Sequence, residues 1–422
     1  MKKHIFLSLF ILFLFRIGFA QKTVTIEECQ QWAVAQSSAN VQKELNDKLL
    51  KVKLANAASH IFPKVEINGE VAYHSDVPQL YPYVSGADTF TRLQGYIGLD
   101  VEQVLFEGGK LYYGRRYEKL ANQAEIYKVE ISINEMKEKI ISIYLNLLIL
   151  DKHLNILSNA EDLLQKQLNQ LNSLQANGII PSSAVSQLEV EMLKVGQNKG
   201  ELRAKKESLI ASLSILTGKD LSQAEFAVPE VPSVDINSPS IRLEYQIFDN
   251  GKQTLEYQRK LHLANSLPKI AVFATGGYGR PYNYNFDYFN PKYRWYYVAG
   301  VRLNIPLIDW ARTSGVANVM NLQRAILASQ ESDFAKGNNI AIQEKRFEIQ
   351  RIEDMLVLDK QITAKQKEIT NAFSIQLMNG TITAYDYIKQ QNDEIQSLIN
   401  QEMHNIQLLK AKYELLALTG RL

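Results

Sequence analysis

The spacing of apolar residues changes character several times along the chain. Ile140, Ile143, Leu147, Leu150, Leu154 and Leu157 step by three and four, and Leu164, Leu168 and Leu171 resume the steps after Glu161. That is an a/d seam over more than four heptads, with one polar interruption, and it predicts a long packed helix. A less regular seam, Ile342, Ile349, Ile352 and Leu356, runs into polar Asp359 and Thr363. Elsewhere the period is two. Val65, Ile67, Val71 and Tyr73 alternate with polar residues over 64–74, as do Leu93, Ile97, Leu99 and Val101 over 92–102. Trp295, Tyr297, Val301, Leu303 and Ile305 do the same over 294–305, and 269–278 is a weaker case. These predict strands of about ten to thirteen residues with one apolar face and one charged face.

Proline and glycine set the limits of the helices. All 11 prolines avoid residues 83–180 and 307–422, and no glycine lies between Gly114 and Gly178. Both residues punctuate helices, so their absence predicts helices over 107–176 and 309–378. Shorter helices are expected over 22–59, 179–217, 241–266 and 381–418. At 1.5 Å per residue, 107–176 spans roughly 105 Å, and 22–59 and 179–217 span roughly 57 and 58 Å.

A shift of 202 residues superimposes the two halves. Gly98 falls on Gly300, Leu105 on Leu307, Glu107 on Asp309, Asn177-Gly178 on Asn379-Gly380, and Leu216-Thr217-Gly218 on Leu418-Thr419-Gly420. The pair Phe62-Pro63-Lys64 and Leu267-Pro268-Lys269 needs 205, so the first strand–strand loop is longer by three residues. Each half reads helix, strand, strand, very long helix, Asn-Gly turn, returning helix. The expected organisation is a first repeat over 21–220, a proline-containing linker over 221–240, and a second repeat over 241–422. It predicts a mainly α, elongated rod with strands at one end and Asn-Gly turns at the other.

Aromatic residues crowd the strand ends. Tyr278, Tyr282, Tyr284, Phe286, Tyr288, Phe289, Tyr293, Trp295, Tyr296 and Tyr297 fall within twenty residues, and Tyr73, Tyr81, Tyr83 and Tyr96 hold the corresponding region of the first half. Tyrosine and tryptophan favour a membrane–water boundary, having an apolar body and a polar end. Strand length fits the same reading, since about 9–11 residues cross the hydrocarbon. An ordinary half-buried sheet shows the same alternation, and a ligand-binding cluster could gather such aromatics. Four strands cannot close a barrel, and lipid does not tolerate open edges. Shared between chains, they would make eight strands in a dimer or twelve in a trimer.

Composition alone points elsewhere. Of 422 residues, 46% are hydrophobic and 22% charged, as in a soluble protein. The first twenty residues change the charge: Lys2 and Lys3, the apolar run Ile5 to Phe15, and Gly18-Phe19-Ala20 make a secretory signal with cleavage before Gln21. Gln21 offers no acceptor for a lipid anchor. Removal takes three of 47 basic residues and leaves 44 against 45 acidic, with no basic excess for nucleic acid. One cysteine, Cys29, excludes an intrachain disulfide framework, and six scattered histidines carry no zinc spacing. Gly276-Gly277-Tyr278-Gly279 resembles a phosphate loop only superficially, since no lysine-serine or lysine-threonine completes it. No cofactor, metal or catalytic set is expected, and the chain reads as a non-enzyme.

The duplicated strand pairs, the Pro-Lys strand starts, the segments Leu105-Phe106-Glu107-Gly108-Gly109 and Leu307-Ile308-Asp309-Trp310, the Asn-Gly turns and the Leu-Thr-Gly endings together resemble the TolC-like outer membrane efflux protein family. The resemblance covers essentially the whole mature chain. It implies a homotrimer with a shared twelve-stranded barrel in outer-membrane lipid and a long α-helical tunnel through the periplasm. A periplasmic adaptor and an inner-membrane RND- or ABC-type pump are the implied partners. The function implied is an exit duct of a tripartite efflux or secretion system; a soluble periplasmic coiled-coil scaffold or adaptor is the alternative. The resemblance places adaptor docking at Asn177, Gly178, Ile179 and Pro181, and at Asn379, Gly380, Thr381 and Thr383. In that family, aspartates six and nine residues after the second turn glycine line the pore entrance. Asp386 matches the first and Lys389 departs from the second, as Ala184, Leu377 and Ile382 depart from other closing positions. Asp386 with Lys389 is the expected entrance pair, and Tyr73, Tyr96, Tyr278, Trp295 and Tyr297 are the expected aromatic belt.

Overall fold

A computed structural model describes residues 23–76, 92–178, 180–230, 239–279, 293–306 and 310–422. Its contacts divide the chain into two compact units. One takes the N-terminal stretch through Gln42 with residues 129–243 and 334–422; the other takes residues 43–128 and 244–333. Each unit therefore draws on both halves of the sequence.

The first unit opens on strand β1 (Thr23–Val24) and helix α1 (Ile26–Gln36). Thr25 and Glu28 form a capping box that satisfies two amides at the start of α1. The expected single helix over 22–59 is broken: Ser37 is extended, with φ −69° and ψ 152°, and α2 (Ala39–Ser59) begins after it. The Ser37 hydroxyl donates to the Val34 carbonyl at 2.8 Å, a local bond that competes with helix continuation. Long helix α3 (Lys110–Ala176) is followed by α4 (Ser182–Thr217), and α6 (Trp310–Met378) by α7 (Ala384–Thr419). Gly218 and Gly420, at φ +64° and +76°, end the two returning helices.

The expected seam on α3 is the core of this unit. Ile140 and Leu147 are buried with Tyr144, Leu145, Leu213, Ile406 and Cys29, while Leu157, Leu164 and Leu171 are buried in a second cluster with Val185 and Leu188. Ile342, Ile349, Ile352 and Leu356 are buried with Ala411 and Leu415. The two charged interruptions each meet a side chain on the returning helix, whereas the Thr363 hydroxyl is buried without a hydrogen-bond partner among the described residues. Glu161 pairs with Lys199, and Asp359 lies 2.6 Å from His404 Nδ1. Burial pushes the Cys29 thiol up to about 12, so it stays protonated and unreactive.

Residues 221–240, expected as an extended linker, carry a second short strand, β4 (Glu225–Phe226), which pairs in parallel with β1. The fully buried Tyr144 hydroxyl sits 2.7 Å from both the Val24 and Ala227 carbonyls, and its ring packs edge-on against Phe226. Tyr144→Phe removes that hydroxyl while keeping the ring. The expected loss is about 1–2 kcal/mol, read as faster amide exchange at Phe226 and Ala227; unchanged exchange would show that the ladder stands without it.

The second unit contains a four-stranded antiparallel sheet in the order β2 (Lys64–Tyr73), β3 (Leu93–Glu107), β5 (Lys269–Gly279), β6 (Arg294–Asn304). Three of the expected strands fall where alternation put them. The exception is β3, which runs five residues beyond 102, past a register shift between Val104 and Phe106. Glu107 is thus strand, not the first residue of a helix. Gly108 and Gly109, with φ +57° and +79°, carry the chain from the strand into α3, which starts at Lys110. Ion pairs join neighbouring helices here: Lys53 to Glu118 at 3.0 Å, and Lys252 of helix α5 (Leu243–Ala264) to Glu331.

Candidate functional site

Two surfaces carry the residues singled out by the sequence, one in each unit. In the first unit, both Asn-Gly turns stand over one apolar cluster that contains Leu171, Val185, Leu377 and Tyr387. Asn177, Gly178, Pro181, Asn379, Gly380, Thr381 and Thr383 are all exposed. Gly178 and Gly380 have φ +73° and +69°, and a Cβ at either would meet nothing within 4 Å, so only the left-handed backbone requires glycine there. The second turn is a Schellman closure. Gly380 N–H donates to Leu377 and Thr381 N–H to Gln376, both at 3.0 Å, and the Thr381 hydroxyl adds a bond to Gln376.

The two returning helices start differently. Helix α7 begins with a capping box, in which Asp386 N–H donates to Thr383 Oγ1 at 3.2 Å and Thr383 N–H donates to Asp386 Oδ2 at 3.1 Å. The Thr383 hydroxyl also donates to Oδ2, at 2.6 Å. Helix α4 has Pro181 at the same place and no side-chain cap. The Thr383 hydrogen bonds hold the Asp386 carboxyl below the ordinary carboxylate range, with a smaller contribution from the Lys389 charge. Because the folded pKa is depressed, this contribution to the cap is present above the unfolded value and is lost as pH falls through the folded one. Lys389 itself lines a groove of about 540 Å³ between α4 and α7, beside Tyr385, Glu191, Lys194 and Asn392. Across it, Asn392 Nδ2 donates to Glu191 Oε1 at 3.0 Å.

Thr383→Ala is expected to cost about 1 kcal/mol, confined to the first turn of α7. Amide exchange over 384–388 should quicken while 182–188, which has no cap to lose, stays unchanged. Equal change at both helices would refute the difference between them.

In the second unit, strand register sorts the sheet into two faces. Ile67, Leu99, Gly276 and Tyr297 share one row, and Ile97, Tyr278 and Trp295 the next, on a face that is apolar except at Gln103. None of the described residues covers its outer end: Trp295 and Tyr297 are 82% and 87% exposed. The opposite face is hydrophilic. There Asn68 and Thr275 donate to the Asp100 carboxylate, each at 2.5 Å, and Arg302 pairs with Glu102 at 2.7 Å while lying over the Phe273 ring. Strands β2 and β6 are the free edges.

No protein-family profile and no curated relative matches the chain. Solved structures do match. The outer membrane protein VceC from Vibrio cholerae superimposes with a TM-score of 0.71 at 14% identity, over 93% of this chain and 96% of that one. The Campylobacter jejuni CmeC outer membrane channel gives 0.69 at 14%, over 94% and 85%. The outer-membrane channel OprN gives 0.69 at 11%, over 94% and 89%. The chain has the TolC-like outer-membrane channel fold.

Within that fold the residues singled out separate into two groups. Tyr73, Tyr278, Trp295 and Tyr297 lie on the apolar face, with Tyr278 and Trp295 ring centroids 5.3 Å apart. Tyr96 lies on the hydrophilic face, opposite Glu70 and Gly279. Ile179 and the aromatic residues Tyr81, Tyr83, Tyr282, Tyr284, Phe286, Tyr288 and Phe289 fall outside the described residues. The sequence pattern did not mark the Glu161–Lys199 and Asp359–His404 pairs. Their signal was present as polar residues at seam positions, but a seam does not show which side chain will meet them.

Proposed function

We propose that the chain is the outer-membrane exit duct of a tripartite efflux or secretion system. The observation that carries this is the sheet with one largely exposed, mostly apolar face, one hydrophilic face and two edge strands, set in a channel fold. Water penalises such a face, at about 25 cal/mol per Å² of apolar area, whereas lipid accommodates it. Three copies joined edge to edge would close twelve strands, leaving no unpaired backbone in the hydrocarbon and turning the hydrophilic faces to a water-filled lumen. The duplicated halves account for two hairpins per chain. A soluble scaffold would have to leave the apolar face in water.

In this reading the helices form a periplasmic tunnel whose open end lies at the Asn-Gly turns. An adaptor docks there, and an RND- or ABC-type pump in the inner membrane supplies the energy. Tyr73, Tyr278, Trp295 and Tyr297 make the aromatic belt, and Asp386 with Lys389 lies at the entrance.

Membrane fractionation with a heat-sensitive oligomer assay tests the duct: outer-membrane recovery as an oligomer is expected, and a soluble monomer would refute it. At the entrance, Asp386→Asn keeps an oxygen to accept the Thr383 amide but removes the charge. Reduced cation preference in planar bilayers is expected; unchanged preference takes Asp386 out of the pore.

A further inference from the structure

The helices of the second unit follow the order of its strands. Lys53 of α2 pairs with Glu118 of α3 at 3.0 Å, and Leu261 of α5 lies 3.9 Å from where a Cβ on Gly114 of α3 would stand. Leu327 of α6 lies 3.3 Å from where a Cβ on Gly251 of α5 would stand, next to the Lys252–Glu331 pair. The lateral order α2, α3, α5, α6 therefore repeats β2, β3, β5, β6. The outer helices adjoin the edge strands in sequence, α2 leading into β2 and β6 into α6.

Each outer helix keeps an apolar stripe in solvent. Leu45, Leu49 and Val52 on α2, and Val319, Leu322 and Ile326 on α6, are between 48% and 65% exposed. Their steps of three and four are the a/d spacing by which two helices interlock. The stripes also lie at matching depths. Leu45, Leu49 and Val52 stand 19, 15 and 12 residues before β2 opens at Lys64, and Val319, Leu322 and Ile326 stand 15, 18 and 22 residues after β6 closes at Asn304. Solvation does not account for the α6 side, since a helix face that stays in water carries charges. From Ser314 to Gln330 the one charged residue is Arg324, whose guanidinium is 3.8 Å from Glu256 of the same chain. Beside the α2 stripe, Glu44 and Lys48 pair with each other at 2.6 Å and need no partner from a neighbouring helix.

Chain direction fits a second copy. Neighbouring strands alternate throughout the sheet, so β2 of another copy placed beside β6 continues the alternation, and the α2 leading into it runs antiparallel to α6. We propose that α2 of one copy packs against α6 of the next, with Leu45, Leu49 and Val52 interlocking with Val319, Leu322 and Ile326. The helix layer then closes through the same pair of edges as the sheet. Because the contact joins two different surfaces, it builds a ring rather than a face-to-face pair. The inference rests on the edge-to-edge assembly proposed above and adds the helical surface that receives the next copy.

Site-directed cross-linking of the full chain in outer membranes tests it. Cys29 is buried and protonated, so it does not compete for the reagent. Packed helix axes lie about 8–10 Å apart, within reach of a short bis-maleimide. Leu322→Cys combined with Leu45→Cys or, one turn along, with Leu49→Cys is expected to give a covalent trimer as the largest product. Each cysteine alone is expected to give no covalent oligomer. A covalent dimer from Leu45→Cys alone would mean that α2 meets α2, and would overturn the seam. A heat-sensitive oligomer that neither pair links also overturns it, because another occupant then covers the stripes while the duct stands. Recovery as a soluble monomer overturns the duct itself. Leu322→Lys, at a position 65% exposed in the single chain, should abolish the heat-sensitive oligomer and leave the helical circular dichroism unchanged; an unaltered oligomer would overturn the seam.

Discussion

Gly108→Ala is expected to prevent accumulation of folded protein. A Cβ at Gly108 would lie 2.5 Å from the Ala264 carbonyl oxygen and 2.8 Å from Leu267 Cβ, and the backbone there has φ +57°. The left-handed conformation costs an L-residue about 1–2 kcal/mol. The clash falls on backbone, which cannot rotate away as a flexible side chain does, and overpacking of that kind adds about 1–3 kcal/mol. Together they approach much of a domain's usual margin of about 5–15 kcal/mol. The neighbours supply the controls. Gly109→Ala meets the Tyr113 ring at 3.2 Å, a side chain able to shift, so a smaller loss is expected. Gly114→Ala sits inside α3, 3.9 Å from Leu261 Cδ1, and should gain about 0.5–1 kcal/mol of helix propensity. Thermal unfolding followed by circular dichroism should rank the three variants Gly114→Ala, Gly109→Ala, Gly108→Ala from most to least stable. A stable Gly108→Ala protein would show that the junction can be built another way.

That junction also shows where sequence pattern stops being legible. Alternation placed strands over 64–74 and 294–305, within a residue of the observed limits, because a half-exposed strand must change face at every residue. The same rule ended β3 at 102, since Val104, Leu105 and Phe106 are consecutive apolar residues. The structure continues the strand by inserting one residue at the irregularity, which resets the face without ending the pairing. The double glycine was visible, but a glycine pair between a strand and a helix does not say which of the two elements reaches it. Likewise the break between α1 and α2 falls at Ser37 and Ser38, where neither proline nor glycine announces it.

The candidate surfaces were legible to different depths. Turn positions followed from chemistry, since Asn-Gly between two long helical patterns has few other uses. Thr383-Ala384-Tyr385-Asp386 also has the spacing of a capping box, so the hydrogen bonding of Asp386 is a local matter that four residues encode. Tyr96 is the counterexample. The parity that puts Gln94 on the hydrophilic side puts Tyr96 there too, yet crowding with other tyrosines drew it into the belt. Polar pairs such as Asp359 with His404 bring together helices 45 residues apart in sequence, and no local period encodes their meeting.

The apolar face of the sheet yields the most decisive expected result. Ile67 lies in the middle of β2, 74% exposed, in register with Leu99, Gly276 and Tyr297. In water, replacing so exposed an isoleucine with arginine changes stability by less than about 0.5 kcal/mol, and it should improve solubility. In lipid the same change costs about 2–4 kcal/mol near the bilayer midplane, and a trimer would incur it three times. Glu70→Arg is the matched control on the hydrophilic face of the same strand, and it is expected to be well tolerated. Outer-membrane recovery of the heat-sensitive oligomer should therefore collapse for Ile67→Arg and hold for Glu70→Arg. The two environments predict opposite signs from one side chain, so recovery of both variants as equally abundant oligomers would mean that this face does not meet lipid. The closed barrel would then have to give way to a soluble sheet whose apolar face is covered by protein.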